Sequence, residues 1–187
     1  MTEVSVPVHP DVARILIDPP ALHRRVSELG RDISRDYAGR HPTLLGILKG
    51  SVVFLGDLLR AINLDCSVDF ISVSSYTGRR ASGEVRLLLD LRESAAGKDL
   101  IIVEDIMDSG LTLHYLLDIL RNRNPRSLEV CALLDKPDCR QVPVAAKYVG
   151  FSIADEFVVG YGLDYNEKYR NLPYVGVLHP DLLPEGV

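Results

Sequence analysis

The sequence contains no tryptophan, only three cysteines and no long apolar run, and each scarcity excludes a class of protein. The three cysteines, Cys66, Cys131 and Cys139, have neither the CxxC spacing nor the neighbouring histidines of a zinc site, and their odd number argues against a disulfide framework. Free thiols in a reducing compartment are the simpler interpretation. No apolar run approaches the length of a membrane span, and the N-terminus lacks the features of a signal peptide. We therefore expect a cytoplasmic protein without a membrane partner.

Positive charge is also in the minority, since 21 lysines and arginines stand against 26 aspartates and glutamates, for a formal net charge of −5. This balance disfavours the broad basic face that binds nucleic acid, and we expect no nucleic-acid partner. It leaves room for a local cationic pocket. The 187 residues are 47% hydrophobic and 25% charged, which is typical of a globular protein. The length fits one domain spanning residues 1–187.

Apolar residues at helical spacing predict two helices in the first third of the chain. The first follows Asp18, a favoured cap residue, and the Pro19-Pro20 pair. The second follows an apolar strand at residues 44–48, and the hydroxyl of Ser51 is expected to cap it. The predicted core-facing residues are Leu22, Val26, Leu29 and Ile33 in the first helix and Leu55, Leu58, Leu59 and Ile62 in the second.

The rest of the chain alternates strand patterns with one more helical stripe. Strand patterns occupy residues 68–76, 85–91, 100–103, 128–134, 148–151, 157–159 and 175–178. The third helix presents Leu113, Leu116, Leu117 and Leu120 to the core. This alternation predicts an α/β fold with an open, mostly parallel twisted sheet flanked by helices on both faces.

One strand end concentrates polar groups. Glu104 and Asp105 follow the apolar strand, and the loop at residues 108–112 then opens the third helix. Ligands of such sheets bind beyond the carboxyl ends of the strands. The free N–H groups of a helix start, together with the hydroxyls of Ser109 and Thr112, favour a phosphate group.

The acids beside this loop need a separate explanation because they would repel a phosphate. Carboxylates accept hydrogen bonds from sugar hydroxyls or help to hold a magnesium ion that bridges to phosphate oxygens, and Asp108 could serve as a general base. The alternative is that Asp108 and Ser109 only cap the helix while Glu104 and Asp105 are solvated.

Residues 104–112 resemble the phosphoribosyl pyrophosphate signature of the type I phosphoribosyltransferases. The more specific resemblance is to the hypoxanthine-guanine members of that family, and it extends from about residue 44 to residue 178. The other segments that resemble the family are Leu48-Lys49-Gly50 as a pyrophosphate loop, Ser75-Tyr76 as the start of a mobile loop, and Lys147, residues 157–165 and Arg170 as the purine and pyrophosphate segment.

The resemblance implies an enzyme of purine salvage. A purine ring nitrogen of hypoxanthine or guanine would displace pyrophosphate from phosphoribosyl pyrophosphate and form IMP or GMP, with Mg²⁺ as cofactor. The family fold adds a small hood region built from the terminal segments to the main sheet. The resemblance also implies a homo-oligomer, without deciding between a dimer and a tetramer.

For the phosphoribosyl part, the resemblance implies that Glu104 and Asp105 contact the ribose hydroxyls and help to place magnesium. Asp108 would be the proton acceptor for the purine. Leu111 stands where mammalian relatives carry a lysine, so this loop resembles the bacterial form and relies on backbone and hydroxyl groups. The residues assigned to the 5′-phosphate are Asp108, Ser109, Gly110, Leu111 and Thr112.

For the leaving group, the resemblance assigns pyrophosphate to Lys49, Gly50 and Arg170, with a cis peptide bond between Leu48 and Lys49. Asp164 matches the family acid that coordinates magnesium on pyrophosphate. Without the resemblance, the lysine and the arginine would be interpreted as surface residues and the aspartate as a turn residue.

For the purine, the resemblance implies that Lys147 donates to the six-oxo group and that Phe157 stacks on the ring. Backbone groups around Val158, together with Asp164, would bind the edge that carries the amino group of guanine. Without the resemblance, the phenylalanine and the valine would be interpreted as core residues.

Two other functions remain alternatives. A regulator could keep this fold and sense nucleotides, but it should show an added DNA-binding domain or a strongly basic face. A transferase for adenine, orotate or uracil is disfavoured by the predicted lysine donor, because the amino group of adenine is itself a donor.

Overall fold

The computed structural model describes residues 6–75 and 85–183, and its main feature is a six-stranded sheet in the order β4-β3-β2-β5-β6-β7. A smaller antiparallel sheet has the order β1-β9-β8. The strands are β1 (Val12–Ile17), β2 (Thr43–Leu48), β3 (Ser67–Ser75), β4 (Val85–Leu89), β5 (Asp99–Met107), β6 (Ser127–Asp135), β7 (Tyr148–Ser152), β8 (Val158–Val159) and β9 (Val175–Leu178). The helices are α1 (Pro19–Asp36), α2 (Val52–Ala61) and α3 (Leu111–Arg121), with short 3₁₀ turns at Pro137–Cys139 and Pro180–Leu182.

The main sheet confirms the predicted open, mostly parallel architecture. Strands β3, β2, β5, β6 and β7 are parallel, and β4 pairs with β3 in the antiparallel sense at one edge. The small sheet unites β1 near the start of the chain with β9 near its end, and it corresponds to the hood expected from the terminal segments. Along the described ranges, each helix is too short or too polar to cross a membrane.

The alternation of side chains along β5 explains why helices cover both faces. Ile101 and Val103 pack in the cluster that contains α1 and α2, whereas Leu100 and Ile102 pack in the cluster that contains α3. A parallel strand buried on both faces is continuously apolar, as the sequence shows. The predicted helical stripes of α1 and α3 are buried, and the Asp18 carboxylate caps α1 by accepting from Ala21 N at 2.7 Å.

Two local predictions are wrong. The Ser51 hydroxyl does not cap α2, because it donates to the Ile47 carbonyl at 2.6 Å. The two acids do not end their strand either, since β5 continues to pair with β6 as far as Met107. Strand β1 has no counterpart among the predicted elements, because its pairing partner lies about 160 residues away in the chain and leaves no local signal.

Candidate active site

The carboxyl ends of the parallel strands meet at one edge of the main sheet and bring three connections together. Lys49 and Gly50 follow β2, the loop that begins at Asp108 follows β5, and Lys136 follows β6. The backbone N–H of Lys136 donates to the Met107 carbonyl at 2.9 Å, so the last two connections are in contact. This edge is where a ligand of an open α/β sheet binds.

Glu104 and Asp105 point to opposite faces of the sheet because they are neighbours in a strand. Glu104 continues the face covered by α3 and lines a small cavity beside the loop after β5. Asp105 continues the other face and lies against Gly50, where an added Cβ would stand only 1.7 Å from Oδ2. The two adjacent acids therefore serve two separate parts of the site.

The cavity on the α3 face has a volume of about 90 Å³ and is lined by the loop assigned to the 5′-phosphate. Helix α3 begins after Gly110, whose φ of 83° lies in the left-handed region that favours glycine, and the Ser109 hydroxyl accepts a long hydrogen bond of 3.4 Å from Leu111 N. Ser109 and Thr112 line the cavity, whereas the Leu111 side chain is 47% exposed. The cavity thus lies at a helix start, where backbone N–H groups favour an anion.

Burial controls the charge of both acids. It raises the pKa of Glu104 well above the usual range, and the neighbouring Asp105 carboxylate adds to this effect. Burial also raises the pKa of Asp105, to about 6, against an opposing hydrogen bond from Ile106 N. Glu104 Oε2 is buried without a hydrogen-bond partner. A ligand that offers a cation or a hydroxyl would relieve this cost.

The leaving-group side of the site is formed by close backbone contacts between distant segments. The peptide bond between Leu48 and Lys49 is cis, as the resemblance implies. An added Cβ on Gly162 would stand 2.1 Å from the Gly50 carbonyl oxygen. The loop after β2 is therefore packed between Asp105 and the segment that follows β8.

Charged side chains then link this segment to the pyrophosphate loop. Arg170 donates to the Gly162 carbonyl at 2.8 Å, and its Nη2 is 2.8 Å from Asp164 Oδ1. Lys49 Nζ is 3.1 Å from the carboxylate of Glu167, which is also 3.6 Å from Arg170 Nη2. The structure thus brings together the predicted Lys49, Arg170 and Asp164, and adds Glu167 to them.

The predicted purine segment reaches the site at the start of β8. Phe157 is half-buried and packs edge to face against Tyr165, with ring centroids 5.3 Å apart. The Val158 side chain is buried in the core, so that only its backbone is available to a ligand. Phe157 thus keeps part of its ring accessible, as a stacking residue requires.

Lys147 does not reach this site, so the prediction that it donates to the purine is wrong. It immediately precedes β7, at the amino end of a strand parallel to β6, and therefore lies at the opposite edge of the sheet. There its ammonium is 3.1 Å from Asp36 Oδ2 and 5.8 and 5.1 Å from the ring centroids of Tyr37 and Tyr148. This ion pair and these cation–π contacts hold Lys147 far from the carboxyl ends of the strands.

Lys136 is the lysine that the sequence analysis missed. It directly follows β6 at the site edge, is only 6% exposed, and has Nζ 3.1 Å from Asp155 Oδ1. Asp155 precedes Phe157 by two residues, so the ammonium lies beside the purine segment. Lys136 follows a predicted strand, whereas Lys147 precedes one. This difference is the sequence signal by which Lys136 could have been predicted.

Arg140 is a second missed residue, and it fixes the loop after β5. Its guanidinium donates to the Asp108 carbonyl and pairs with Asp135 at the end of β6. Gln141 N also donates to the Ser109 carbonyl at 2.9 Å. The connection after β6 therefore supports the loop after β5, and no local motif in the sequence predicts this contact.

The residues also fit a magnesium ion, although they form no complete metal site. Within residues 6–75 and 85–183, no three His, Cys, Asp or Glu side chains are grouped as a set of ligands. Mg²⁺ usually takes only one or two protein carboxylates and completes its shell with waters and substrate phosphates. The unpartnered Glu104 Oε2 and the nearby Asp105 and Asp164 are oxygen donors of the required kind.

The predicted mobile loop is only partly described. Ser75 is the last residue of β3, and β3 runs parallel to β2, so it ends at the site edge. Tyr76 and residues 77–84 lie outside the described residues.

Comparison with known proteins identifies one family. The model of the phosphoribosyl transferase domain matches residues 14–166. A hypoxanthine-guanine phosphoribosyltransferase of Bacillus subtilis is 46% identical, over 91% of this chain and 95% of that protein. The crystal structure of a hypoxanthine phosphoribosyltransferase from Staphylococcus aureus superposes with a TM-score of 0.90 at 45% identity, covering 94% of this chain and 96% of that one.

A longer relative is also similar. The bifunctional protein TilS/HprT of Listeria innocua is 48% identical over 95% of this chain, which spans only 28% of that protein. The similarity therefore concerns one part of the Listeria protein.

Proposed function

Since this chain belongs to the phosphoribosyl transferase family, among its hypoxanthine-guanine phosphoribosyltransferases, we propose that it makes IMP or GMP from hypoxanthine or guanine. In this reaction a purine ring nitrogen attacks the anomeric carbon of phosphoribosyl pyrophosphate, and pyrophosphate leaves. Positive charge develops on the ribose and negative charge on the leaving group. Catalysis therefore needs an acceptor for the purine proton and cations for the leaving group.

The observation that supports this proposal best is the opposed placement of Glu104 and Asp105 on one strand. Glu104 lines the phosphate cavity on one face, and Asp105 adjoins the pyrophosphate loop on the other. A ribose that lies across the end of β5 would therefore direct its 5′-phosphate to α3 and its pyrophosphate to Lys49 and Arg170. These two anionic ends match the two anion-binding ends of the site.

The acids at the end of β5 act on the sugar and on the purine. Glu104 and Asp105 would accept hydrogen bonds from the ribose hydroxyls and help to place magnesium, and Asp164 would hold magnesium at the pyrophosphate side. When bound, magnesium neutralises charge on the pyrophosphate. Asp108, exposed at the tip of the loop, takes the proton released by the purine. The Arg140 guanidinium holds the backbone of Asp108 in place for this transfer.

Purine recognition uses the segment beside Lys136. We assign the contact with the six-oxo group to the ammonium of Lys136 instead of Lys147, because Lys136 follows β6 at the site edge. Phe157 stacks on the ring, and backbone groups near Val158, with Asp164, bind the edge that carries the amino group of guanine. A cationic donor favours oxopurines over adenine, because the adenine amino group donates as well.

The wider assignments are also proposals. One domain over residues 1–187 is supported by the pairing of β1 with β9, which joins both ends of the chain. A cytoplasmic location agrees with the three free thiols. A homo-oligomer and the closure of a loop beginning at Ser75 and Tyr76 rest on the family resemblance.

The test of the activity is product formation with magnesium and phosphoribosyl pyrophosphate, offering hypoxanthine, guanine, xanthine and adenine separately. IMP and GMP are the expected products. Formation of AMP alone, or of no nucleotide from any base, would contradict the proposed function.

The two lysines offer a matched test of purine recognition. Lys136→Met is expected to raise the KM for hypoxanthine by about 10- to 100-fold, which corresponds to the loss of one charge-assisted hydrogen bond. Lys147→Met should leave that KM unchanged. Equal effects of the two substitutions would remove Lys136 from the purine site.

A further inference from the structure

Glu167 lies between the two cationic side chains that face the leaving group. Both of its carboxylate oxygens are 3.1 Å from Lys49 Nζ, and Oε2 is 3.6 Å from Arg170 Nη2. Lys49 is the main cause of a lowered pKa for Glu167, so the carboxylate is charged at neutral pH. An anion already interacts with the two cations that pyrophosphate needs.

The backbone at Glu167 is unfavourable for a glutamate. Tyr165 and Lys168 exchange N–H···O bonds of 3.3 and 3.1 Å, which makes Asn166 and Glu167 the central residues of a two-residue turn. Their φ angles are 53° and 60°. Such a turn prefers Asn-Gly, because glycine adopts positive φ without steric cost. Glu167 N donates to Asp164 Oδ2 at 2.9 Å, so the turn is held in this conformation while the side chain reaches Lys49.

We propose that Glu167 is an internal competitor of pyrophosphate, occupying Lys49 and Arg170 in the free enzyme and returning to them as the product leaves. It does not contact the reacting atoms, and it acts through the two cations. This inference rests on the proposed function and adds a residue that controls how tightly the leaving group is held. The enzyme must bind pyrophosphate well enough to stabilise its departure, and weakly enough to release it.

The exposure of the pair sets the size of the effect. The side chains of Lys49 and Glu167 are 67% and 66% exposed, so water screens their attraction. Exposed ion pairs are weak, and replacing one by pyrophosphate changes affinity by about two- to five-fold. A competitor of this strength shifts the balance between binding and release without blocking the site.

Direct binding of magnesium pyrophosphate to Glu167→Gln, measured by titration calorimetry, tests the proposal. We expect the dissociation constant to fall by about two- to five-fold, together with the KM for phosphoribosyl pyrophosphate, while the KM for hypoxanthine stays unchanged. Glu167→Gly removes the same charge and relieves the turn, and it should tighten binding in the same direction. In a Lys49→Met background the effect of Glu167→Gln should shrink.

Glu93→Gln is the matched control, because Glu93 forms another exposed pair with a lysine, Lys98, just before β5 and away from the site edge. It should bind pyrophosphate like the wild type. Unchanged or weaker binding by Glu167→Gln would overturn the proposal, as would tighter binding in Glu167→Gly alone, which would implicate the turn instead of the charge. If the wild-type protein formed no IMP, the proposed function would be wrong. The calorimetric comparison of pyrophosphate binding can be made whatever the outcome of that assay.

Discussion

The two anion-binding ends of this site are built on different principles. The proposed 5′-phosphate end consists of backbone N–H groups and hydroxyls at the start of α3, and the Arg140 guanidinium supports it by donating to the Asp108 carbonyl. The pyrophosphate end consists of long charged side chains, and in the free protein Lys49 and Arg170 are paired with Glu167 and Asp164.

This difference corresponds to what each end does in the reaction. The 5′-phosphate is bound before and after the transfer, so a preorganised cradle that changes little is sufficient. Pyrophosphate must be stabilised as it departs and must then be released. Side chains that exchange one anion for another satisfy both needs, and for the Lys49–Glu167 pair the cost in stability is small, because exposed ion pairs contribute only about 0–1 kcal/mol.

The largest expected effect lies between the two ends, at Asp108. Asp108→Asn should lower kcat by about 10²- to 10⁴-fold, because a positioned general base contributes that much. Both anion-binding ends should remain intact, so the affinities for IMP and for magnesium pyrophosphate should match the wild type in titrations. Full turnover in this variant would remove Asp108 from the mechanism.

A smaller effect should be confined to the pyrophosphate end. Arg170→Lys keeps the charge but loses the forked guanidinium, and the KM for phosphoribosyl pyrophosphate should rise about ten-fold, which corresponds to one lost charge-assisted hydrogen bond. The dissociation constant of IMP should stay unchanged, because IMP does not use this end. If IMP binding weakened to the same extent, Arg170 would have a general structural role, and the separation of the two ends would fail.

The smallest effect is expected at the phosphate end, where Gly110→Ala forces an L-residue to adopt a φ of 83°. The free energy of unfolding should fall by about 1–2 kcal/mol, the usual cost of the left-handed region, as measured by urea denaturation. IMP binding should weaken while pyrophosphate binding persists. Gly39→Ala is a control for backbone strain alone, because Gly39 also has positive φ and an added Cβ there meets nothing within 4 Å.

The sequence was sufficient where the relevant residues are contiguous. The loop at residues 108–112 and the apolar stripes of α1 and α3 are local patterns, and the structure places them as expected, whereas the two acids before the loop lie inside β5 instead of after it. A phosphate site at this loop could be predicted because a helix start after a buried strand presents backbone N–H groups to a ligand.

The sequence was insufficient where contacts join distant segments. The choice between Lys136 and Lys147 depends on which end of its strand each lysine occupies, and both belong to the connection between β6 and β7. The partnership of Glu167 with Lys49 spans 118 residues. Such pairings follow from packing of the whole chain, which a local pattern does not encode.

The pairing of β1 with β9 also limits the order in which parts of the protein can fold during synthesis. The chain is made from its N-terminus, and the loop after β5 has its supporting strand β6 and its contacts from Arg140 and Gln141 once residue 141 has been made. The hood sheet must wait for β9, and the segment with Asp164 and Arg170 is anchored between β8 and β9. On a growing chain the proposed phosphate cradle can therefore form before Asp164 and Arg170 are anchored at the proposed pyrophosphate end.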